Sequence, residues 1–153
     1  MDINSIKIAL AQEAEIEVKE NILKFWSEEA IDSKNGGFLG SIDNNLWIDE
    51  EAPKSSVLNT RILWTYSKAY NMFGNKEYLT LANRAYEFIK TSLWDQEYGG
   101  LFWMLDYKGN PLNTKKQIYA QAFGIYALSE YYMATENKES LAYAIKLYDL
   151  IEK

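Results

Sequence analysis

The chain has no histidine and no cysteine among its 153 residues. Without cysteine there is neither a disulfide framework nor a thiolate metal site. Without histidine the commonest metal ligand and the commonest general base near neutral pH are both missing. Long apolar runs are missing too, and no segment approaches the roughly 20 residues that cross a bilayer. The opening MDINSIKIALAQEAEIEVKE has no basic leader and no extended apolar core, so it does not read as a signal peptide. The expectation is a soluble, cytoplasmic protein. Positive charge is scarce: 16 Lys and Arg stand against 22 Asp and Glu, a net charge of −6 with pI near 4.8. The Lys115-Lys116 pair is too short to neutralise a phosphate backbone, so nucleic acid is not an expected partner. There is no P-loop, no Gly-x-Gly-x-x-Gly, no Gly-x-Ser-x-Gly and no metal-ligand cluster. No cofactor and no metal are expected.

What is present is ample apolar surface. Hydrophobic residues make up 48% and aromatics 15%, with twelve Tyr and five Trp. That supports a folded core and excludes general disorder. Flat rings serve cores and, in other settings, cover the C–H faces of sugars.

The chain also repeats itself. DSKNGGFLGSID (Asp32 to Asp43) returns as DQEYGGLFWMLD (Asp95 to Asp106), with the first Asp, the Gly-Gly pair and the last Asp in register. KENILKFWSEEAID precedes the first copy and NRAYEFIKTSLWD the second, with Phe25 over Phe88. A Lys then opens an apolar stretch in each: KSSVLNTRILWTYSKAY from Lys54 and KQIYAQAFGIYALSEYY from Lys116. There Asn59 falls on Gln121, Trp64 on Tyr126 and Ser67 on Ser129. The unit reads as helix, Gly-Gly loop, helix, and ESLAYAIKLYDLIEK begins a third.

The first helix of each unit is amphipathic. In NKEYLTLANRAYEFIKTSL, Tyr78, Leu81, Ala82, Ala85, Tyr86 and Ile89 share a face, while positions 80, 83, 84, 87 and 90 are polar. Glu15 to Trp26 and Glu139 to Ile151 read alike. The second helix differs: Gln117 to Ser129 carries no charge, and Ser55 to Ser67 carries only Arg61. A helix apolar nearly all round is expected to be surrounded by protein. Outer amphipathic and inner apolar helices build either a solenoid or two concentric rings. Gly36-Gly37 and Gly99-Gly100 supply positive φ or close backbone approach, with short hairpins after them, turned in the second copy by Lys108-Gly109-Asn110-Pro111. Asp32 and Asp95 cap the loop backbone on this reading.

Arg61 is the sharpest candidate for function. A guanidinium on an apolar inner helix needs an anionic or polar partner. That partner is either a loop acid such as Asp43 or Asp49, or an oxygen of a ligand, and the residues leave both open. Tyr119, Gln121 and Phe123 lie on the matching helix, where Tyr119 aims its hydroxyl at a central space or sits satisfied in the core. Paired carboxylates for glycoside hydrolysis are available among Asp43, Asp49, Asp95 and Asp106, but spacing selects no pair.

NGGFLGSID, APKSSVLNTRILWTYSKAY, YGGLFWMLDYKGNP and KQIYAQAFGIYALSEYY, in that order, resemble the N-terminal part of the N-acylglucosamine 2-epimerase superfamily, nearest its cellobiose (mannobiose) 2-epimerase branch. The resemblance runs from about Phe25 to the end. It implies an all-α fold: helical-hairpin repeats forming part of an (α/α)6 barrel, about five of its twelve helices, with residues 1–153 as one truncated N-terminal domain. It implies a sugar 2-epimerase that inverts C2 at the reducing end of cellobiose-type β-1,4-linked disaccharides through a cis-enediolate. Arg61 matches the family's arginine that meets the enediolate, Tyr119 the tyrosine of its YxQAF segment, and Phe123 lies in the same segment. A disaccharide or amino sugar is the implied substrate. The family's general acid and base are His, and this chain has none, so no catalytic residue is assigned. The expectation is a chain inactive alone that self-associates or needs a complementary C-terminal half. The alternative is a non-catalytic helical-repeat module that binds a saccharide or a partner.

Overall fold

Asparagine marks two of the helix starts. Asn75 accepts the Glu77 N–H, and Asn137 accepts those of Glu139 and Ser140, so orphan donors of the first turn are satisfied. Each of these helices follows a residue in the left-handed conformation, Gly74 at φ 69° and Glu136 at φ 55°. The two αα-turns are thus the same turn written with different residues. A computed structural model describes residues 2–153, which form two compact units divided after Ile31.

The first unit is helical. α1 spans Ile3–Ile16, winds on through a π-helical stretch, Glu17–Leu23, and ends as α2, Lys24–Glu28. It begins well before Glu15, where the amphipathic pattern starts, and none of the side chains of α1 is buried.

The second unit, Asp32–Lys153, holds both Gly-Gly loops. After the first loop come β1, Lys54–Ser55, and α3, Ser56–Phe73. Then follow α4, Lys76–Phe88, a π-wound turn, Ile89–Leu93, and the second loop. β2, Met104–Leu105, and β3, Pro111–Asn113, lead to α5, Ile118–Thr135, and α6, Lys138–Ile151. α3 packs against α4 and α5, and α5 packs against α6. Leu63, Tyr66, Ala82, Ala85, Leu101, Ala127 and Leu147 are buried in this core.

The hairpins are present. β2 and β3 pair antiparallel, and Ile42 bridges Ile48 in the first loop. β1 also pairs with β2, Lys54 opposite Leu105, so one three-stranded sheet joins the two repeats. Each loop is closed by the following amphipathic helix. A Cβ on Gly37 would stand 2.7 Å from the Phe88 ring, and one on Gly100 would stand 2.6 Å from Leu150. Both positions have positive φ, so two separate constraints require glycine there.

The inner helices depart from the sequence expectation. Arg61, Ile118, Tyr119, Ala122 and Tyr126 are exposed. α3 and α5 are covered where they face one another and their flanking helices, and each has a bare face besides. Absence of charge reports that a surface suits burial, not that a neighbour covers it.

Candidate functional site

α3 and α5 pack side by side, and the bare face of α5 is largely aromatic. Trp64 of α3 stacks on Tyr126 of α5, ring centroids 4.8 Å apart and planes 15° from parallel. Along α5, Phe123 meets Tyr126 edge-on at 6.5 Å and Tyr119 at 4.9 Å. Helical spacing of three and four residues puts these rings on one face. Tyr119, Ala122, Phe123 and Tyr126 line a shallow depression of about 250 Å³. One helix over, Arg61 holds the position that Phe123 holds on α5, 62 residues on.

Arg61 is not the buried guanidinium that its helix suggested. It is exposed, and among the described residues it makes no ion pair. The proposed loop partners are occupied otherwise. Asp43 accepts the N–H groups of Asn45 and Trp47, and Asp49 accepts that of Glu51, closing turns. Tyr119 is 61% exposed, so it is not a satisfied core tyrosine either.

Gln121 falls outside the face. It is 1% exposed and clasps the second loop, Nε2 donating to Leu101 O at 2.9 Å and Oε1 accepting from Leu101 N at 2.7 Å. The repeated acids also serve the loops. Asp32 Oδ1 accepts from the N–H groups of Lys34 and Asn35, and Asp95 Oδ1 from those of Glu97 and Tyr98. Their other oxygens meet the lysines that open the next stretch: Lys54 Nζ lies 2.6 Å from Asp32, and Lys116 Nζ 2.7 Å from Asp95. Burial alone would raise both carboxyls, but the lysines and the loop N–H groups outweigh it and hold each below its ordinary pKa. Asp106 is lowered as well, by the Asn110 side chain and backbone N–H. A glycosidic general acid needs the opposite shift, so these acids do not suit the two-carboxylate reading.

Sequence reading missed Arg84. On the wet side of α4, it donates through Nε to Gly37 O at 2.9 Å and through Nη2 to Asp32 O, holding the first loop from the neighbouring helix. Its only sequence signal is its place one turn before Phe88.

Together α3 and α5 offer flat apolar rings, a phenol and a cation that forms no ion pair among the described residues. Such a set can cover a sugar's C–H surface and hold an oxygen that carries negative charge. Among the described residues no cluster of His, Cys, Asp or Glu could hold a metal ion, and no helix is long and apolar enough to cross a membrane.

A family model described as N-acylglucosamine 2-epimerase matches residues 37–153. A cellobiose 2-epimerase of Bacteroides fragilis is 47% identical over 143 residues, 94% of this chain and 36% of the relative. The structure of cellobiose 2-epimerase from Bacillus thermoamylovorans superposes with a TM-score of 0.92 at 44% identity, over 95% of this chain and 37% of that one. The chain thus spans about a third of the length of the relatives it matches. A family 76 glycoside hydrolase of Bacteroides thetaiotaomicron gives a TM-score of 0.68 at 17% identity over 84% of this chain and 35% of that one, a likeness of fold alone. The helices are those of an (α/α)6 barrel, in part.

Proposed function

The chain belongs to the N-acylglucosamine 2-epimerase family, and from that premise we propose that it supplies the substrate-binding face of a sugar 2-epimerase acting on cellobiose-type β-1,4-linked disaccharides. Arg61, Tyr119 and Phe123 are the substrate contacts. The observation that carries this reading is the exposed guanidinium of Arg61, without an ion pair among the described residues, on the helix whose Trp64 stacks on Tyr126 of the aromatic depression, in a chain 47% identical to a cellobiose 2-epimerase.

The chemistry follows from the C2 proton. In the open-chain sugar that proton passes to a base, its electron pair forms the C1–C2 double bond, and negative charge gathers on O1. Arg61 stabilises that oxygen in the enediolate. The rings of Tyr119 and Phe123 hold the sugar flat, and the Tyr119 hydroxyl offers a hydrogen bond. Reprotonation of C2 from the opposite face completes the inversion. The base and the acid come from outside this chain, which has no histidine and whose perturbed carboxyls are shifted away from neutrality.

The test is NMR of cellobiose in D2O, following deuterium at C2 and growth of the epimer. The chain alone gives no exchange. Combined with the complementary portion of the Bacteroides fragilis relative it gives both signals, and Arg61→Ala lowers the rate about 10²–10³-fold, as loss of one oxyanion donor does. Exchange by the chain alone would overturn the assignment of the base. Full activity in Arg61→Ala would overturn that of the arginine.

A further inference from the structure

The two Gly-Gly loops differ at one chemically reactive place. Asn35 precedes Gly36 in the first loop, and Tyr98 precedes Gly99 at the matching place in the second. No other asparagine of the chain is followed by glycine. An Asn-Gly peptide can react with itself. Gly36 N gives up its proton to hydroxide, and its electron pair attacks Cγ of Asn35. The Nδ2 group takes a proton and leaves as ammonia, which closes a succinimide ring. Water then opens the ring at either carbonyl, giving aspartate or isoaspartate. Water is consumed and ammonia released, with no oxidant or reductant. Glycine favours the attack because no Cβ shields its nitrogen and its backbone turns freely.

In the folded chain one residue holds every reacting group. Asp32 Oδ2 accepts from Asn35 Nδ2 at 3.2 Å, and Oδ1 accepts from Asn35 N at 2.8 Å. The Asp32 carbonyl oxygen accepts from Gly36 N at 3.1 Å and so engages the proton that must be lost. Asp32 is itself held from two sides. Lys54 meets its carboxylate and Gly36 O, while Arg84 of α4 donates to its carbonyl oxygen and to Gly37 O. Before Gly36 N can attack, it must leave Asp32 O, and the Asn35 amide must leave Oδ2. The second loop repeats the backbone bonds, with Gly99 N donating to Asp95 O at 2.9 Å and Tyr98 N to Asp95 Oδ1 at 3.0 Å. There they surround a tyrosine, which has no amide to lose.

We propose that Asn35-Gly36 is a deamidation site that Asp32 keeps closed in the folded chain, and that reaction there makes opening of the first loop irreversible. Asn35 is half-buried, so water reaches it once those bonds part. The product carboxylate stands where the amide now donates, against the carboxylate of Asp32, and like charges so close repel. Isoaspartate also lengthens the backbone just before Gly37, whose φ of 63° and contact with the Phe88 ring leave no slack. The site is independent of the sugar-binding assignment.

The experiment incubates the full chain in mildly alkaline buffer, with and without concentrated urea, and maps its peptides by mass spectrometry. The peptide holding Asn35 is expected to convert about tenfold faster or more in urea, as an amide exposed by unfolding does, and to yield both aspartate and isoaspartate. Arg84→Ala, shown to be folded by circular dichroism, converts at a rate between the two. After urea is removed, the refolded fraction falls in step with conversion. Asn35→Gln, whose longer side chain would have to close a larger ring, stays unconverted over the same period and refolds in full. Equal rates in the folded and unfolded chain would overturn the protection, and an unreacted Asn35 in urea would overturn the site. A folded Arg84→Ala that converts at the wild-type rate would overturn the hold through Asp32. Full refolding of the converted chain would overturn the irreversibility.

Discussion

Lys54 is 1% exposed, and its ammonium meets Asp32 and the carbonyl oxygen of Gly36. Removing one partner of a buried pair strands the other charge, at about 3 kcal/mol or more. Lys54→Met is therefore expected to destabilise the fold by about that much at pH 7 in urea unfolding. Lys116→Met costs less, because Lys116 is a quarter exposed and water screens its pair. The pH dependence has a definite sign. Both carboxyls titrate lower in the folded chain than in the unfolded one, so their stabilisation is complete above the ordinary carboxylate pKa of about 4. It is lost as pH falls through the lowered folded values. Wild-type stability should hold to about pH 5 and decline below about pH 4, and the deficit of Lys54→Met should shrink there as the stranded Asp32 takes a proton. The sequence showed the loop-capping role of Asp32 and Asp95, a matter of neighbours two and three residues away. It did not show their lysines, which arrive from 22 and 21 residues on. The Asp and the Lys recur together, and that was the available signal. Arg61 was misjudged because charge pattern describes a helix, whereas burial describes what surrounds it.

The repeat compares its own elements. Gly74 and Glu136 end α3 and α5 in the same left-handed conformation, which costs a residue with a Cβ about 1 kcal/mol or more. Glu136→Gly is expected to raise stability by about 1 kcal/mol, a Tm gain of about 2–4 °C, read by calorimetry. The Gly-Gly loops give the opposite case. Gly99→Ala meets only Trp94 at 3.9 Å and suffers backbone strain, whereas Gly37→Ala also drives into the Phe88 ring. Gly37→Ala is therefore expected to lose more stability than Gly99→Ala in the same melt. Helices α3 to α6 and the hairpins were legible because periodicity and glycine placement are local. The early start of α1 was not, since INSIKIALAQEAEI has no clear apolar stripe and none of its side chains is buried. Pairing of β1 with β2 joins residues some fifty apart, and no local pattern encodes it.

At the scale of the whole chain, α5 leaves Ile118, Tyr119, Tyr126 and Met133 exposed, an apolar set of the kind that marks an interaction site. The folded chain is expected to bind the dye ANS with its near-UV circular dichroism intact, and to bind it less when Tyr126 is replaced by Ala. Unchanged dye binding by Tyr126→Ala would place the apolar surface elsewhere. Family and fold were legible from ordered motifs, but which helix faces are covered depends on long-range packing that a charge pattern does not report. The closure of each Gly-Gly loop by the next helix has a consequence in time. Synthesis delivers Gly37 before Phe88, and Gly100 before Leu150. At 5–20 residues per second the first loop waits roughly 3–10 s for the ring that seals it. Each repeat leaves the ribosome unfinished and is completed by its successor, so folding trails translation by most of one repeat.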